Sequence, residues 1–142
     1  MKNALALALC LAAAGCFSRG ESDECQTDAD CADGDECTRV GECVAAGSAI
    51  RVELSWTIAG AAPSAEACVA FDSLEVVFYE GELEASSYAP IPCDLARSTY
   101  DKMPARLDRV ELIAYQAGGI ADSQTASLEP TGTTTVTFDL QP

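Results

Sequence analysis

The sequence predicts an all-β fold: an antiparallel β-sandwich of about seven strands over residues 48–142, preceded by a small disulfide-rich loop module over residues 25–43. Three observations lead there. Apolar and polar residues alternate with a period of two in several segments after Ser48, the pattern of a strand with one buried face. Glycine and proline fall between those segments, where the chain must reverse. Cysteines crowd into 25–43 and thin out afterwards, so covalent bonds replace a core in the first part.

The first strand sets Val52, Leu54, Trp56 and Ile58 on one face and Arg51, Glu53, Ser55 and Thr57 on the other. Ser64 to Cys68 reads as a single helical turn. Leu74, Val76 and Phe78 alternate with Glu75, Val77 and Tyr79; Val110, Leu112 and Ala114 with Glu111, Ile113 and Tyr115; Val136, Phe138 and Leu140 with Thr135, Thr137 and Asp139. Weaker strands are expected near Glu84 to Ile91, Thr99 to Met103 and Ser123 to Leu128. Turns are expected at Gly60 to Pro63, Glu80-Gly81-Glu82, Gly118-Gly119 and Pro130-Thr131-Gly132. Gly118-Gly119 is the best two-residue hairpin turn, because glycine accepts positive φ. Cys68 and Cys93 are the only cysteines in this part and are expected to pair. That bond would close a loop of about 26 residues and contribute roughly 3 to 4 kcal/mol.

Composition narrows the chemistry. The 142 residues include eight cysteines, 23 acidic and eight basic side chains and no histidine, for a formal charge of -15. Without histidine there is no Ser/His/Asp or Cys/His triad and no His-ligated zinc. The acidity repels nucleic acid and anionic headgroups, favours cations or basic surfaces, and keeps the surface solvated. Neither a G-x-S-x-G elbow nor a phosphate-binding G-x4-G-K-[ST] loop occurs. With so many carboxylates any spacing can be found, so a carboxylate pair is no evidence of glycoside hydrolysis. The expectation is a non-enzyme with no cofactor and no bound metal, and with no nucleic-acid partner. Trp56, Tyr79, Tyr88, Tyr100 and Tyr115 offer stacking faces for a sugar, but the phase of Trp56 points into the core, whereas Tyr79 and Tyr115 point outward.

The leader indicates export. Met1-Lys2-Asn3 precedes an apolar run from Ala4 to Ala14, too short for a bilayer span, which needs about 20 residues, and laid out like a secretory signal peptide. Ala13-Ala14-Gly15-Cys16 resembles the bacterial lipobox, in which small residues precede a cysteine that takes diacylglycerol and becomes the mature N-terminus. The resemblance implies a signal peptide over 1–15, lipidation at Cys16 and a tether over 16–24, with the protein held at a membrane by acyl chains. Phe17 stands where an aspartate would retain such a protein at the inner membrane, so the outer membrane is implied. The cysteine count agrees. With Cys10 removed and Cys16 acylated, Cys25, Cys31, Cys37, Cys43, Cys68 and Cys93 make an even set in an oxidising compartment.

In CQTDADCADGDECTRVGEC, residues 25–43, Val40 is the only aliphatic side chain longer than alanine. The stretch has no core of its own and must be stapled. Two local disulfides are expected in one of three connectivities. The pattern resembles the short Asp/Gly/Cys-rich modules of bacterial surface lipoproteins and of secreted animal proteins such as the dickkopf family. Asp28, Asp30, Asp33 and Asp35 suggest a calcium loop, but Asp33-Gly34 is one residue out of EF-hand register, which favours solvated acidic loops. The cysteine spacing and the oxidising setting disfavour zinc.

The segments VELSWTIAGAAPSAEAC, SLEVVFYEGE, PIPCD, MPARLDRVELIAYQAGG and TTTVTFDL resemble bacterial lipoproteins with an immunoglobulin-like or transthyretin-like sandwich of the carboxypeptidase-regulatory type. The resemblance implies the Cys68 to Cys93 pairing and a structural or binding role, and brings no catalytic residues. The Gly-x-Tyr usual before the third clear strand is absent, and Ala105 to Asp108 stand there. The expected function is therefore that of a non-catalytic, outer-membrane-anchored lipoprotein, a binding or structural module with a protein or glycan partner at the cell envelope. The alternative is a calcium-dependent adhesion or ligand-binding module that uses the Asp-rich segment.

Overall fold

The computed structural model describes residues 24–142. The expected leader, the lipidation of Cys16 and the tether up to Asp23 lie outside the described residues. Nine strands follow in order: β1 (Asp35–Cys37), β2 (Cys43–Ala45), β3 (Ile50–Ile58), β4 (Ser73–Glu80), β5 (Leu83–Ile91), β6 (Arg97–Met103), β7 (Arg109–Gln116), β8 (Gly119–Ser127) and β9 (Thr133–Leu140). One helical turn, α1 (Ala65–Cys68), is capped by the Ser64 hydroxyl, which accepts a hydrogen bond from the Ala67 N–H. β1 and β2 form a separate hairpin; β6-β3-β9 and β5-β4-β7-β8 are the two sheets of a sandwich. The seven sandwich strands are those expected. β5, β6 and β8 read more weakly in sequence because they bury few side chains: β5 and β8 have no fully buried position, and β6 has Tyr100 and Met103.

One pair departs from the antiparallel expectation. β3 and β9 run parallel, in register from Arg51 opposite Thr133 to Ile58 opposite Leu140. A short turn forces its two strands to be antiparallel, but β3 and β9 are joined through the whole domain and carry no such constraint. A second departure is local. The β7–β8 hairpin pairs Gln116 with Gly119, so its two turn residues are Ala117 and Gly118, at φ 51° and 76°, one position earlier than expected.

Alternation puts Val52, Leu54, Trp56, Leu74, Val76, Phe78, Val110, Leu112, Phe138 and Leu140 in one core cluster between the sheets. The Trp56 indole N–H donates to the Cys93 carbonyl at 2.8 Å, which fixes the segment carrying the Cys68–Cys93 disulfide against β3. The open sides of the sandwich are closed differently. On one, the Gln124 side chain accepts from the Asp139 N–H and donates to the Asp139 carbonyl, acting as a strand edge between β8 and β9. On the other sits the cysteine-rich module.

The module is held by Cys25–Cys37 and Cys31–Cys43. It is not loose. Val40 packs against the sandwich core, and Arg39 lies over the rings of Tyr88 and Tyr100 at 5.4 and 5.5 Å. A bulge in β6 makes this docking, since register slips between the Ile50–Met103 and Val52–Tyr100 pairs and leaves Asp101 and Lys102 opposite Arg51 alone. Lys102 takes φ 55° there. Its carbonyl accepts from the Arg39 N–H at 2.8 Å and its ammonium reaches both Asp28 oxygens at 2.7 and 2.8 Å. Arg106 bridges Glu42 of the module and Glu80 of β4. The module thus caps the Tyr100–Lys102 end of the β6 edge, backbone that would otherwise invite pairing with another chain.

Two outcomes follow. Replacing Cys68 and Cys93 together by alanine lowers unfolding free energy by about 3 to 4 kcal/mol, readable as a lower denaturant midpoint at unchanged secondary structure. The ammonium of Lys102 and the Cys37 N–H hold Asp28 below its ordinary pKa of 3.8, and Asp28 holds Lys102 above its ordinary 10.5. Their contribution is full between those values, lost below the first as Asp28 protonates and above the second as Lys102 deprotonates. Amide protection in 25–45, relative to the intrinsic exchange rate at each pH, is therefore expected to fall below pH of about 4, and at neutral pH in Lys102→Ala, while the core strands stay protected.

Candidate functional site

The outer face of the four-stranded sheet carries two half-buried tyrosines, Tyr79 and Tyr115. Outward positions alternate on β4 as Ser73, Glu75, Val77 and Tyr79, and on β7 as Arg109, Glu111, Ile113 and Tyr115. The antiparallel register places Ser73 opposite Tyr115, Glu75 opposite Ile113, Val77 opposite Glu111 and Tyr79 opposite Arg109. Val77 and Ile113 are 3% and 8% exposed and stand apart from the inter-sheet core cluster. They form an apolar floor beneath the longer side chains flanking them. Across that floor run two cross-strand hydrogen bonds, from the Tyr79 hydroxyl to Glu111 at 2.6 Å and from the Tyr115 hydroxyl to Glu75 at 2.7 Å.

These bonds are related by a local two-fold axis through the Val76–Leu112 pair. An offset of 36 residues takes SLEVVFYE at Ser73–Glu80 onto RVELIAYQ at Arg109–Gln116 and returns each residue's partner to its own equivalent. The offset extends into the flanking strands. The bulge between Phe78 and Tyr79 on the β5 side matches that between Ala114 and Tyr115 on the β8 side, with Tyr79 opposite Glu84 and Tyr115 opposite Ile120. The sheet is thus two similar hairpins facing each other, each presenting a glutamate and, four residues on, a tyrosine.

Electrostatically the halves differ. The Arg109 guanidinium lies 4.4 Å from the Tyr79 ring centre and donates to the Gly81 carbonyl at 3.3 Å. Donation to Glu111 pushes the Tyr79 hydroxyl up to about 12. Donation to Glu75 likewise raises Tyr115, with Glu75, Glu111 and Glu84 all adding negative field. The neutral phenols act as donors, and ionising either would set a phenolate against a carboxylate.

The other residues singled out in sequence are placed as follows. All six cysteines of the described residues are paired, Cys25 with Cys37, Cys31 with Cys43 and Cys68 with Cys93. The sulfurs of Cys25, Cys31 and Cys37 lie close together, but as disulfide sulfurs and not thiolates. Asp28 is engaged by Lys102 and by the Cys37 N–H at 2.9 Å. Asp30 accepts the Gln26 and Thr27 N–H groups and the Thr27 hydroxyl, and these hold it below its ordinary pKa. Those two carboxylates close the module's first loop and its seam, so the structure does not bring the four aspartates to one point. Trp56 and Tyr100 are buried, and Tyr88 and Tyr100 pack with Phe78 in an aromatic cluster. Of the five aromatics offered for stacking, Tyr79, Tyr88 and Tyr115 are half-buried, and Tyr88 is covered by Arg39.

Concave spaces lie elsewhere. A groove of about 420 Å³ runs over β3 and β6 between Arg51, Glu53, Arg97 and Thr99, and another of about 420 Å³ lies at the module seam by Asp28, Arg39 and Lys102. Both are walled by charged and polar groups, unlike the mostly apolar pockets that enclose small molecules. The tyrosine face is a broad sheet surface and not a cleft. Compared with known proteins, the chain matches no family model and no curated protein.

The phenols give a pH signature. Because Tyr79 and Tyr115 ionise above the ordinary tyrosine value of 10, their hydrogen bonds contribute fully below that pH and are lost as it rises through the folded values, for Tyr79 about 12. Absorbance titration near 295 nm is expected to show phenolate appearing late, with stability declining from pH about 10 to about 12. In Glu111→Gln the Tyr79 transition moves back toward 10.

Proposed function

We propose that this chain is a non-catalytic lipoprotein of the bacterial cell envelope, exported behind residues 1–15, acylated at Cys16 and held at the outer membrane. Its sandwich serves as a binding module through the Tyr79–Tyr115 face. The observation that carries the reading is the closed set of three disulfides, which pairs all six cysteines of the described residues. Disulfides of this kind persist outside the cytosol, and a set complete without Cys16 leaves that sulfur for acylation. The likeness of Ala13-Ala14-Gly15-Cys16 to a lipobox and of 50–140 to immunoglobulin-like or transthyretin-like lipoprotein sandwiches supports the same reading. Docking of the module through Val40, Arg39 and Lys102 joins it to the sandwich.

The absence of histidine from the sequence, together with a tyrosine–glutamate surface whose phenols stay neutral, favours recognition over catalysis. Tyrosines supply large, stiff contact area at low entropic cost, and they are enriched in protein interfaces for that reason.

Intact-mass analysis of protein extracted from native membranes, reduced and unreduced, tests the reading. The expected species begins at Cys16, carries the mass of acylglycerol, and gains about six mass units on reduction, two per disulfide. A soluble species that begins at Met1 and has unmodified thiols would overturn it.

A further inference from the structure

The two halves of the outer sheet are the same device with one part missing. At one end, Glu111 accepts from the Tyr79 hydroxyl through one oxygen and from the Ser123 hydroxyl through the other, and the Arg109 guanidinium rests on the Tyr79 ring. At the other, Tyr115 and Glu75 repeat the hydrogen-bonded pair, but the position equivalent to Arg109 holds Ser73, whose side chain is too short to reach over the ring and carries no charge. We propose that Tyr115 and Glu75 bind an arginine side chain of a partner protein, in the place that Arg109 fills in the matching half of the sheet.

Three features of the Tyr115 end fit that occupant. Glu75 uses one oxygen for the Tyr115 hydroxyl, while its other, Oε1, accepts no hydrogen bond among the described residues; a guanidinium donates readily to such an oxygen. Ile120 stands opposite Tyr115 and is 63% exposed where the other half has Glu84. It offers an apolar shoulder to the methylene stem of a long cationic side chain. The charges that act on the Tyr115 hydroxyl are carboxylates, Glu75, Glu111 and Glu84, on a chain of net charge -15. Arginine is favoured over lysine because its planar group can stack on a ring and donate to an oxygen acceptor at once, as Arg109 stacks on Tyr79 while donating to the Gly81 carbonyl, and at the Tyr115 end that acceptor is the Glu75 carboxylate.

This deepens the reading of the face as a binding surface, yet it does not depend on the anchor. A silent Tyr115 leaves the intact-mass result standing, and an unacylated chain leaves the site intact. The test is NMR of the full chain with isotope-labelled tyrosine rings, titrated with N-acetyl-arginine amide and, separately, N-acetyl-lysine amide. The Tyr115 resonance is expected to shift saturably with the arginine probe, at least fivefold more weakly with lysine, while Tyr79 stays still. Ser73→Arg supplies the cation in cis and is expected to weaken probe binding at Tyr115 at least tenfold. Arg109→Ser empties the other half and is expected to make Tyr79 respond as well. Unmoved Tyr88 and Tyr100 resonances report an intact core in both variants. An unmoved Tyr115, equal responses of both tyrosines in the unaltered chain, equal binding of the two probes, or unchanged binding in Ser73→Arg would each overturn the proposal.

Discussion

The register of β4 against β7, with Val76 opposite Leu112, is the constraint on which most of the molecule rests. Strand side chains alternate between faces, so a slip of one residue on either strand would exchange its buried set for its exposed set. In the observed register, Leu74, Val76 and Phe78 meet Ala114, Leu112 and Val110 over the core. The same register sets each outward glutamate one diagonal step from the opposite strand's tyrosine. The core and the outer tyrosine–glutamate face are thus two sides of one pairing.

Charge placement is the second organising feature. The chain carries -15 overall, and an acidic module must approach an acidic sandwich; left uncompensated, the repulsion would hold them apart. Basic side chains stand at the points of approach. Arg39 covers the tyrosines of β5 and β6, Lys102 meets Asp28 with Glu36 at 3.9 Å, and Arg106 ties Glu42 to Glu80. Exposed pairs of this kind contribute little one by one. Here they accompany the burial of Val40 and a main-chain bond from Arg39 to Lys102, which fix the orientation.

Much of the sandwich was legible because its inner strands obey a period of two, and Trp56, Phe78 and Leu112 stand where that period puts them. Position along the chain does not encode which distant strands become neighbours, so the parallel β3–β9 pair could not be read. The bulge at Asp101 and Lys102 leaves no mark in residue type, since lysine rarely adopts the left-handed region it occupies there. Docking of the module was hidden for a related reason, as Val40 alone signals burial in a segment that otherwise reads as polar loop. The two-fold relation is legible as a self-similarity of the sequence: Glu75 with Tyr79 and Glu111 with Tyr115 share a glutamate-x3-tyrosine spacing inside similar apolar strands. The difference that matters, Arg109 against Ser73, becomes meaningful once the pairing across β4 and β7 is known.

The parallel ladder between β3 and β9 has a mechanical side. The chain enters β3 from the module at Ile50 and leaves β9 past Leu140, at opposite ends of the ladder. Tension drawn between those two points acts along the strands and across their hydrogen bonds, loading the rungs together as shear, whereas a hairpin pulled from its open end peels apart rung by rung. Pulled between those two points, the sandwich would stay folded under forces that unzip an ordinary hairpin.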